Sequence, residues 1–221
     1  MMHILCLGDS ITDCGRIWEN PPFGYGYVHM LEKNLHKFYE DISVTNAGVD
    51  GFTVSRLLEN TKAGRYPVKG SIVTVLIGIN DIGLMMNTNR TEGQKEDMLR
   101  KFLDNYEKLI GILIREAKKI ILLEPFIFSC PEEFRLWIPY VKKMSEGIKK
   151  LAKNYGIQYV MLQSRLDEAV EEQGVSFITT DGIHLTENGH AILAETFLEA
   201  INRTDIVEEQ KNGRKDIDRT F

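Results

Sequence analysis

A chain of 221 residues that is 43% hydrophobic and 27% charged has ordinary globular composition, enough apolar material for a sizeable core, and a length that suits one domain. Its 27 Lys and Arg against 32 Asp and Glu leave a formal charge of -5, so no basic surplus exists to neutralise a nucleic-acid backbone or an anionic membrane. Three cysteines, Cys6, Cys14 and Cys130, are too few and too scattered for a disulfide framework or a C-x-x-C metal site, which suits a reducing compartment.

The first residues carry no basic n-region, and the apolar run that starts at Ile4 stops at Asp9, short of a secretory h-region. No run approaches the ~18 apolar residues of a membrane span. A cytoplasmic protein without stable membrane insertion is therefore expected, and the sequons at Asn89-Arg90-Thr91 and Asn202-Arg203-Thr204 are read as chance.

In chain order, residues 4–7 form a short apolar run that predicts a buried strand, followed by Gly8-Asp9-Ser10. Residues 16–25, with Pro21, Pro22 and Gly24, break the pattern as a long loop. A second strand is predicted over 42–45, ahead of Asn46-Ala47-Gly48, and a third over 72–77, ahead of Gly78-Ile79-Asn80-Asp81. Residues 83–94, rich in Asn and Thr, read as another irregular stretch. Leu99, Phe102, Tyr106, Leu109 and Leu113 then repeat at helical spacing. A fourth strand over 120–123 is followed by the apolar segment 126–131, and Val141, Met144, Ile148 and Leu151 mark a further helix. The fifth strand is predicted over 157–162, and Asp181-Gly182-Ile183-His184 precedes a last helix marked by Ala191, Ala194, Leu198 and Ile201. Residues 203–221 are mostly charged and polar and read as a tail after a domain spanning 1–202.

Strands apolar on both faces, alternating with helices, call for an α/β fold in which a parallel sheet is covered by helices on either side. Ligands of such sheets bind beyond the carboxyl ends of the strands. Just past the predicted strands, and before the last helix, this chain places a hydroxyl, two glycines where bare backbone can approach a ligand, an amide side chain, and a histidine with a carboxylate three residues before it. Those are the parts of an acyl-transfer site. Singly each has a structural reading: Ser10 as a cap or turn residue, Asn80-Asp81 as a turn, Asp181 as a cap on the backbone near His184. Their joint occurrence in this order points to chemistry.

The pattern resembles the SGNH hydrolases, the GDSL esterase and lipase family, over roughly residues 3–202. Gly8-Asp9-Ser10-Ile11-Thr12-Asp13 is similar to the family's first block, Gly48 to the second, Gly78-x-Asn80-Asp81 to the third and Asp181-x-x-His184 to the last. The resemblance implies a flavodoxin-like three-layer α/β/α sandwich with a five-stranded parallel sheet. It also implies a serine esterase without a cofactor. In that reading Ser10 is the nucleophile, His184 the general base and Asp181 its orienting carboxylate, and the N–H groups of Ser10 and Gly48 join the Asn80 side chain in an oxyanion hole.

The G-x-S-x-G elbow is absent, because Thr12 stands at its second glycine, and neither a dinucleotide fingerprint nor a Walker A motif occurs. Short O-acyl esters, acetyl groups on carbohydrates or small metabolites, are the expected small-molecule substrates. A lysophospholipase or thioesterase, or a non-catalytic ester- or carbohydrate-binding module, is the alternative. Asp9 is expected to brace the loop and Asp13 to pair with Arg16. His190 is the one residue that could join Asp181 and His184 around a metal, but the usual helical H-x-x-x-H spacing is missing, and no metal is expected. Cys14 has no histidine assigned to it by sequence and reads as packing. Bulky residues at 126–128 and 84–86, with Trp18, Phe23 and Tyr25, are expected to crowd a short acyl pocket beside Ser10.

Overall fold

The computed structural model describes residues 2–19, 22–37, 39 and 41–202, so the charged tail at 203–221 lies outside the described residues. Five strands, β1 (Met2–Gly8), β2 (Ile42–Gly48), β3 (Ile72–Leu76), β4 (Lys119–Leu123) and β5 (Gln158–Val160), pair in parallel in the order β2-β1-β3-β4-β5. Helices α1 (Ser10–Asp13), α2 (Arg16–Glu19) and α3 (Tyr27–Leu35) lie between β1 and β2, and α4 (Val54–Lys62) between β2 and β3. Next come α5 (Ile79–Met86) and α6 (Glu92–Leu113) before β4, and α7 (Ile138–Tyr155) before β5. The chain continues through α8 (Gln163–Gln173), α9 (Val175–Ile178) and α10 (Glu187–Asn202).

One helical layer packs α4 against α6 and α6 against α7, while the other packs α10 against α3 and α8. Ile4, Leu5, Cys6 and Leu7 are fully buried on successive, opposite-facing positions of β1, which requires cover on both faces of the sheet. The α/β/α sandwich is therefore as expected. Each of these apolar side chains contributes about 1.5–3 kcal/mol by leaving water, and that burial, more than helix propensity, fixes the layers.

Departures from the predicted elements have local causes. The stretch 83–94 is mostly helical, because α5 runs on to Met86 and α6 begins at Glu92. Only a short link remains, and Thr91 closes it with a capping box: its Oγ1 accepts the Gln94 N–H at 3.3 Å while Gln94 Oε1 accepts the Thr91 N–H at 2.9 Å. The loop at 16–25 carries the single turn α2. β5 is shorter than 157–162, since past Val160 the N–H groups of Leu162 and Gln163 leave the sheet for the Glu124 carboxylate at 2.8 and 3.0 Å. On α10 the buried face is His190, Leu193, Ala194, Phe197 and Ile201. Ala191 and Leu198 are only half-buried, so the face is rotated by about one residue from the predicted one, toward the large Phe197 ring and His190. Among the described residues no helix is long and apolar enough to cross a membrane.

Candidate active site

The register aligns Gly8 of β1 with Gly48 of β2 and with Leu76 of β3, so three strands end at one level. The chain crosses from β1 to β2 on one side and later returns to β3 on the other, which makes the gap between β1 and β3 the switch point of the sheet. Crevices at such points, outside the carboxyl ends of the strands, are where open α/β sheets bind ligands.

Ser10 is the first residue of α1, directly beyond β1. The turn that puts it there is tight: a Cβ on Gly8 would stand 2.1 Å from Thr12 Oγ1 and 2.7 Å from the Leu76 carbonyl, so only glycine lets α1 fold back over the strand end. Asp9 caps the helix by accepting the Ile11 N–H at 3.1 Å. Its side chain is buried, and burial pushes its pKa up to about 7 against the pull of that hydrogen bond and of nearby His184. Asp9 thus braces the turn, as expected.

From the far end of the chain, residues 179–185 bring Asp181 and His184 to the same place. An isolated bridge joins Thr179 to Leu185, and the His184 carbonyl accepts the Thr179 hydroxyl at 2.7 Å and the Thr180 N–H at 2.9 Å. Inside this turn Asp181 Oδ1 accepts the backbone N–H groups of Ile183 at 2.9 Å and His184 at 2.7 Å. Its Oδ2 lies 2.6 Å from His184 Nδ1, and Ser10 Oγ lies 3.0 Å from His184 Nε2. An ionised Asp181 accepts from Nδ1–H, leaving the Nε2 lone pair for the Ser10 hydroxyl. Burial raises the Asp181 carboxyl, but the bonds from the His184 ring and from the His184 and Ile183 N–H groups outweigh it and hold the pKa below its ordinary value.

The predicted oxyanion donors are placed differently from one another. The Ser10 N–H, at the start of α1, has no partner among the described residues. Asn80 lies in the first turn of α5, beyond β3, and donates through Nδ2 to the Phe52 carbonyl at 3.0 Å, which leaves a second amide hydrogen. Gly48, in contrast, donates its N–H to Asn46 Oδ1 at 3.0 Å, and a Cβ there would meet the Asp13 nitrogen at 2.3 Å. Its backbone is used to hold β2 against α1. The nearby glycine whose N–H has no partner among the described residues is Gly51, next to Phe52 in the turn after β2. It has φ +72° and nothing within 4 Å of a Cβ position, so it is an open stretch of backbone beside Asn80.

Several residues that position the site carried little signal in the sequence. Asn46 is buried and donates to the carbonyls of Thr12 at 2.7 Å and Phe23 at 2.8 Å while accepting from Gly48, so one amide ties β2, α1 and the first loop together. Asp81 accepts the Val54 N–H at the start of α4 at 3.0 Å and fastens the turn at 51–53 to α5. Burial pushes the Asp81 pKa up to about 7. The Arg16 guanidinium lies 3.5 Å from Asp13, as expected, and also donates to the Gly48 carbonyl at 2.6 Å. Apart from the Arg16–Asp13 pair, three residues apart in the chain, each of these contacts spans distant residues or uses a backbone group that no motif marks.

His190 does not face the Asp181–His184 pair as a ligand. Its Nδ1 accepts the Tyr27 N–H at 3.2 Å, which places the proton of the neutral ring on Nε2, 3.4 Å from Cys14 Sγ. Burial, aided by the charge of His184, lowers its pKa to about 4. The fold therefore supplies Cys14 with the histidine that sequence proximity did not. Burial also raises the Cys14 thiol, so the two form a neutral, packed pair.

A pocket of about 400 Å³ opens over Ser10 and His184, with Asp13, Cys14, Trp18, Tyr25 and Asp50 in its lining. The expected apolar crowd is mostly elsewhere: Phe126, Ile127, Phe128 and Met85 are buried in the core and Leu84 faces solvent. Phe126 and Phe128 are spent on covering the sheet, packed edge to face. Only Trp18 and Tyr25 of that set line the pocket.

Comparison with known proteins gives a consistent picture. The model of the GDSL-like lipase/acylhydrolase family matches residues 6–192. An acetylxylan esterase of Geobacillus stearothermophilus is 30% identical over 212 residues, covering 90% of this chain and 93% of that protein. A crystal structure of an acetylxylan esterase from the same organism superposes with a TM-score of 0.77 at 27% identity, over 90% of this chain and 94% of the other. An α/β hydrolase from the metagenome of Lake Arreo shares the fold, with a TM-score of 0.77 at 23% identity over 92% and 96% of the two chains.

Proposed function

This chain belongs to the GDSL-like lipase/acylhydrolase family and is a carboxylic ester hydrolase, and on that premise we propose that it removes O-acetyl groups from carbohydrates through Ser10, His184 and Asp181. The observation that carries the residue assignment is the unbroken path from Ser10 Oγ through both His184 nitrogens to Asp181, with steps of 3.0 and 2.6 Å. The substrate class is supported by the likeness to an acetylxylan esterase along nearly the whole of both chains.

The Ser10 oxygen attacks the acetyl carbonyl while its proton passes to His184 Nε2, and Asp181 stabilises the imidazolium through Nδ1–H. The carbonyl oxygen becomes an oxyanion held by the Ser10 N–H, the free hydrogen of the Asn80 amide and the Gly51 N–H, which takes the place expected of Gly48. All three donors are neutral, so they stabilise developing charge without trapping it as an ion pair. When the tetrahedral centre collapses, the imidazolium returns its proton to the sugar oxygen, which departs as an alcohol. Water, deprotonated by His184, then attacks the acetyl-serine; as the bond to Ser10 Oγ breaks, the imidazolium returns its proton to that oxygen and acetic acid leaves, ionising to acetate. Cys6, Cys14 and Cys130 are all unpaired, which supports a place in a reducing, cytoplasmic setting.

Two measurements on the full chain test this reading. A fluorophosphonate probe is expected to label the wild-type protein and not Ser10→Ala. Acetate release is expected from acetylated xylo-oligosaccharides in preference to p-nitrophenyl dodecanoate or lysophospholipid. Labelling that survives in Ser10→Ala refutes the nucleophile, and a preference for the long-chain esters refutes the substrate class.

A further inference from the structure

We infer that Trp18 and Tyr25, with the Asp50 carboxylate, form a subsite that holds the pyranose ring of the acetylated substrate over Ser10. This deepens the carbohydrate-ester reading above and rests on it. Trp18 is 79% exposed and Tyr25 56%, although rings of this size usually sit in cores or interfaces. Both nonetheless line the pocket that contains Ser10 and His184. A large ring as exposed as that of Trp18 beside a nucleophile is a surface waiting for an apolar ligand face.

Both rings are carried on fixed backbone. Trp18 sits on α2, whose Arg16 donates to the Gly48 carbonyl at 2.6 Å and pairs with Asp13 at 3.5 Å, so α2 is fastened to the end of β2 and to α1. The Tyr25 N–H donates to the Cys14 carbonyl at 2.8 Å, and its ring lies against Gly15, where a Cβ would stand 3.1 Å from Cδ2. The platform is therefore tied at both ends to the short helix that begins with the nucleophile.

The chemistry of the occupant is set by the groups the pocket offers. A pyranose presents C–H bonds on its faces and hydroxyls on its rim; the partial positive charge of those hydrogens matches the negative face of an aromatic ring. Asp50, on the exposed turn after β2 and in the same pocket, can accept hydrogen bonds from rim hydroxyls, and such bonds to a charged acceptor are strong and directional. An acyl chain would use the rings but has no hydroxyl to donate to the Asp50 carboxylate. A sugar ring uses both.

The test compares kcat/KM for acetylated xylo-oligosaccharides with kcat/KM for ethyl acetate, which reports the same bond cleavage without a sugar. In Trp18→Ala the ratio of the two is expected to fall about tenfold, mainly through KM, because the ring binds ground and transition states alike. Trp18→Phe should recover most of it. A ratio that stays at the wild-type value, or a loss on p-nitrophenyl octanoate as large as that on the sugar ester, overturns the platform. A wild-type enzyme with no preference for the sugar ester over ethyl acetate overturns the carbohydrate reading and the subsite together, whereas a wild-type preference that survives in Trp18→Ala overturns the subsite alone.

Discussion

Among the described residues two serine–histidine pairs stand at opposite ends of the same sheet. At the carboxyl end Ser10 Oγ lies 3.0 Å from His184 Nε2; at the amino end Ser71 Oγ lies 2.7 Å from His3 Nδ1, and Thr45 Oγ1 lies 2.8 Å from His3 Nε2. The shorter contact is the structural one. Ser71 is buried and donates its proton to the Pro67 carbonyl at 2.7 Å, so its oxygen accepts from the ring and has no proton to give it. Ser10 faces a pocket, its histidine is oriented by Asp181, and its own N–H has no partner among the described residues. Reactivity depends on the direction of the proton, the carboxylate behind the ring and access, and distance alone does not identify it.

That contrast breaks most sharply on the two serines. Ser10→Ala is expected to lower kcat on an acetyl ester by about 10⁶-fold, while Ser71→Ala should keep acetate release and cost about 1 kcal/mol of stability in urea unfolding. Equal loss of turnover in both variants would dissolve the distinction. Within the carboxyl-end pair, His184→Ala should match the serine variant. Asp181→Asn should fall short of it, near ~10⁴-fold, because the carboxylate orients and polarises the ring while the imidazole moves the proton. Steady-state kinetics that find the two equally inactive would give Asp181 an added structural role, through the Ile183 and His184 N–H groups it holds.

A smaller effect separates Asn80 from any group in the amino-end pair. Asn80→Ala is expected to reduce kcat by about 10²- to 10³-fold with KM little altered; a change confined to KM would make it a substrate-binding residue instead. The smallest effect is on stability. The Asp81 carboxyl is raised to about 7 by burial, above the value of about 4 it has in an unfolded chain. The fold thus favours the protonated form, so this stabilising preference is complete below pH ~4 and is lost as pH rises through about 7. Asp81→Asn keeps an acceptor for the Val54 N–H and cannot ionise. Its melting temperature should exceed the wild type's by a few degrees at pH 8 and match it at pH 4, and a gap that is the same at both pH values would show that Asp81 does not titrate in this range.

Much of the architecture was legible in the sequence because it rests on local periodicity. The five apolar runs became the five strands, and the helical repeats at Leu99–Phe102–Tyr106 and Val141–Met144–Ile148 became buried faces of α6 and α7. Ser10, Asn80, Asp181 and His184 stood out for a related reason: each follows a strand or precedes the last helix, where a parallel sheet collects its ligand groups. Weak periodicity leaves structure unmarked, as at 83–94, which is largely α5 and α6, and on the buried face of α10.

The sequence by itself thus determined the kind of layers and the residue types gathered at one end of the sheet, since hydrophobic period and strand-end position are properties of short segments. Only the tertiary structure decided which backbone and side-chain groups are already engaged. Asn46 occupies the Gly48 N–H that strand-end position marks as a donor, α10 brings His190 to a Cys14 that is isolated in the sequence, and the core claims Phe126 and Phe128, which strand-end position marks as pocket walls. Hydrogen-bond satisfaction and close packing are settled between residues far apart in the chain, so a group's availability is fixed by its neighbours in space and is written in no motif.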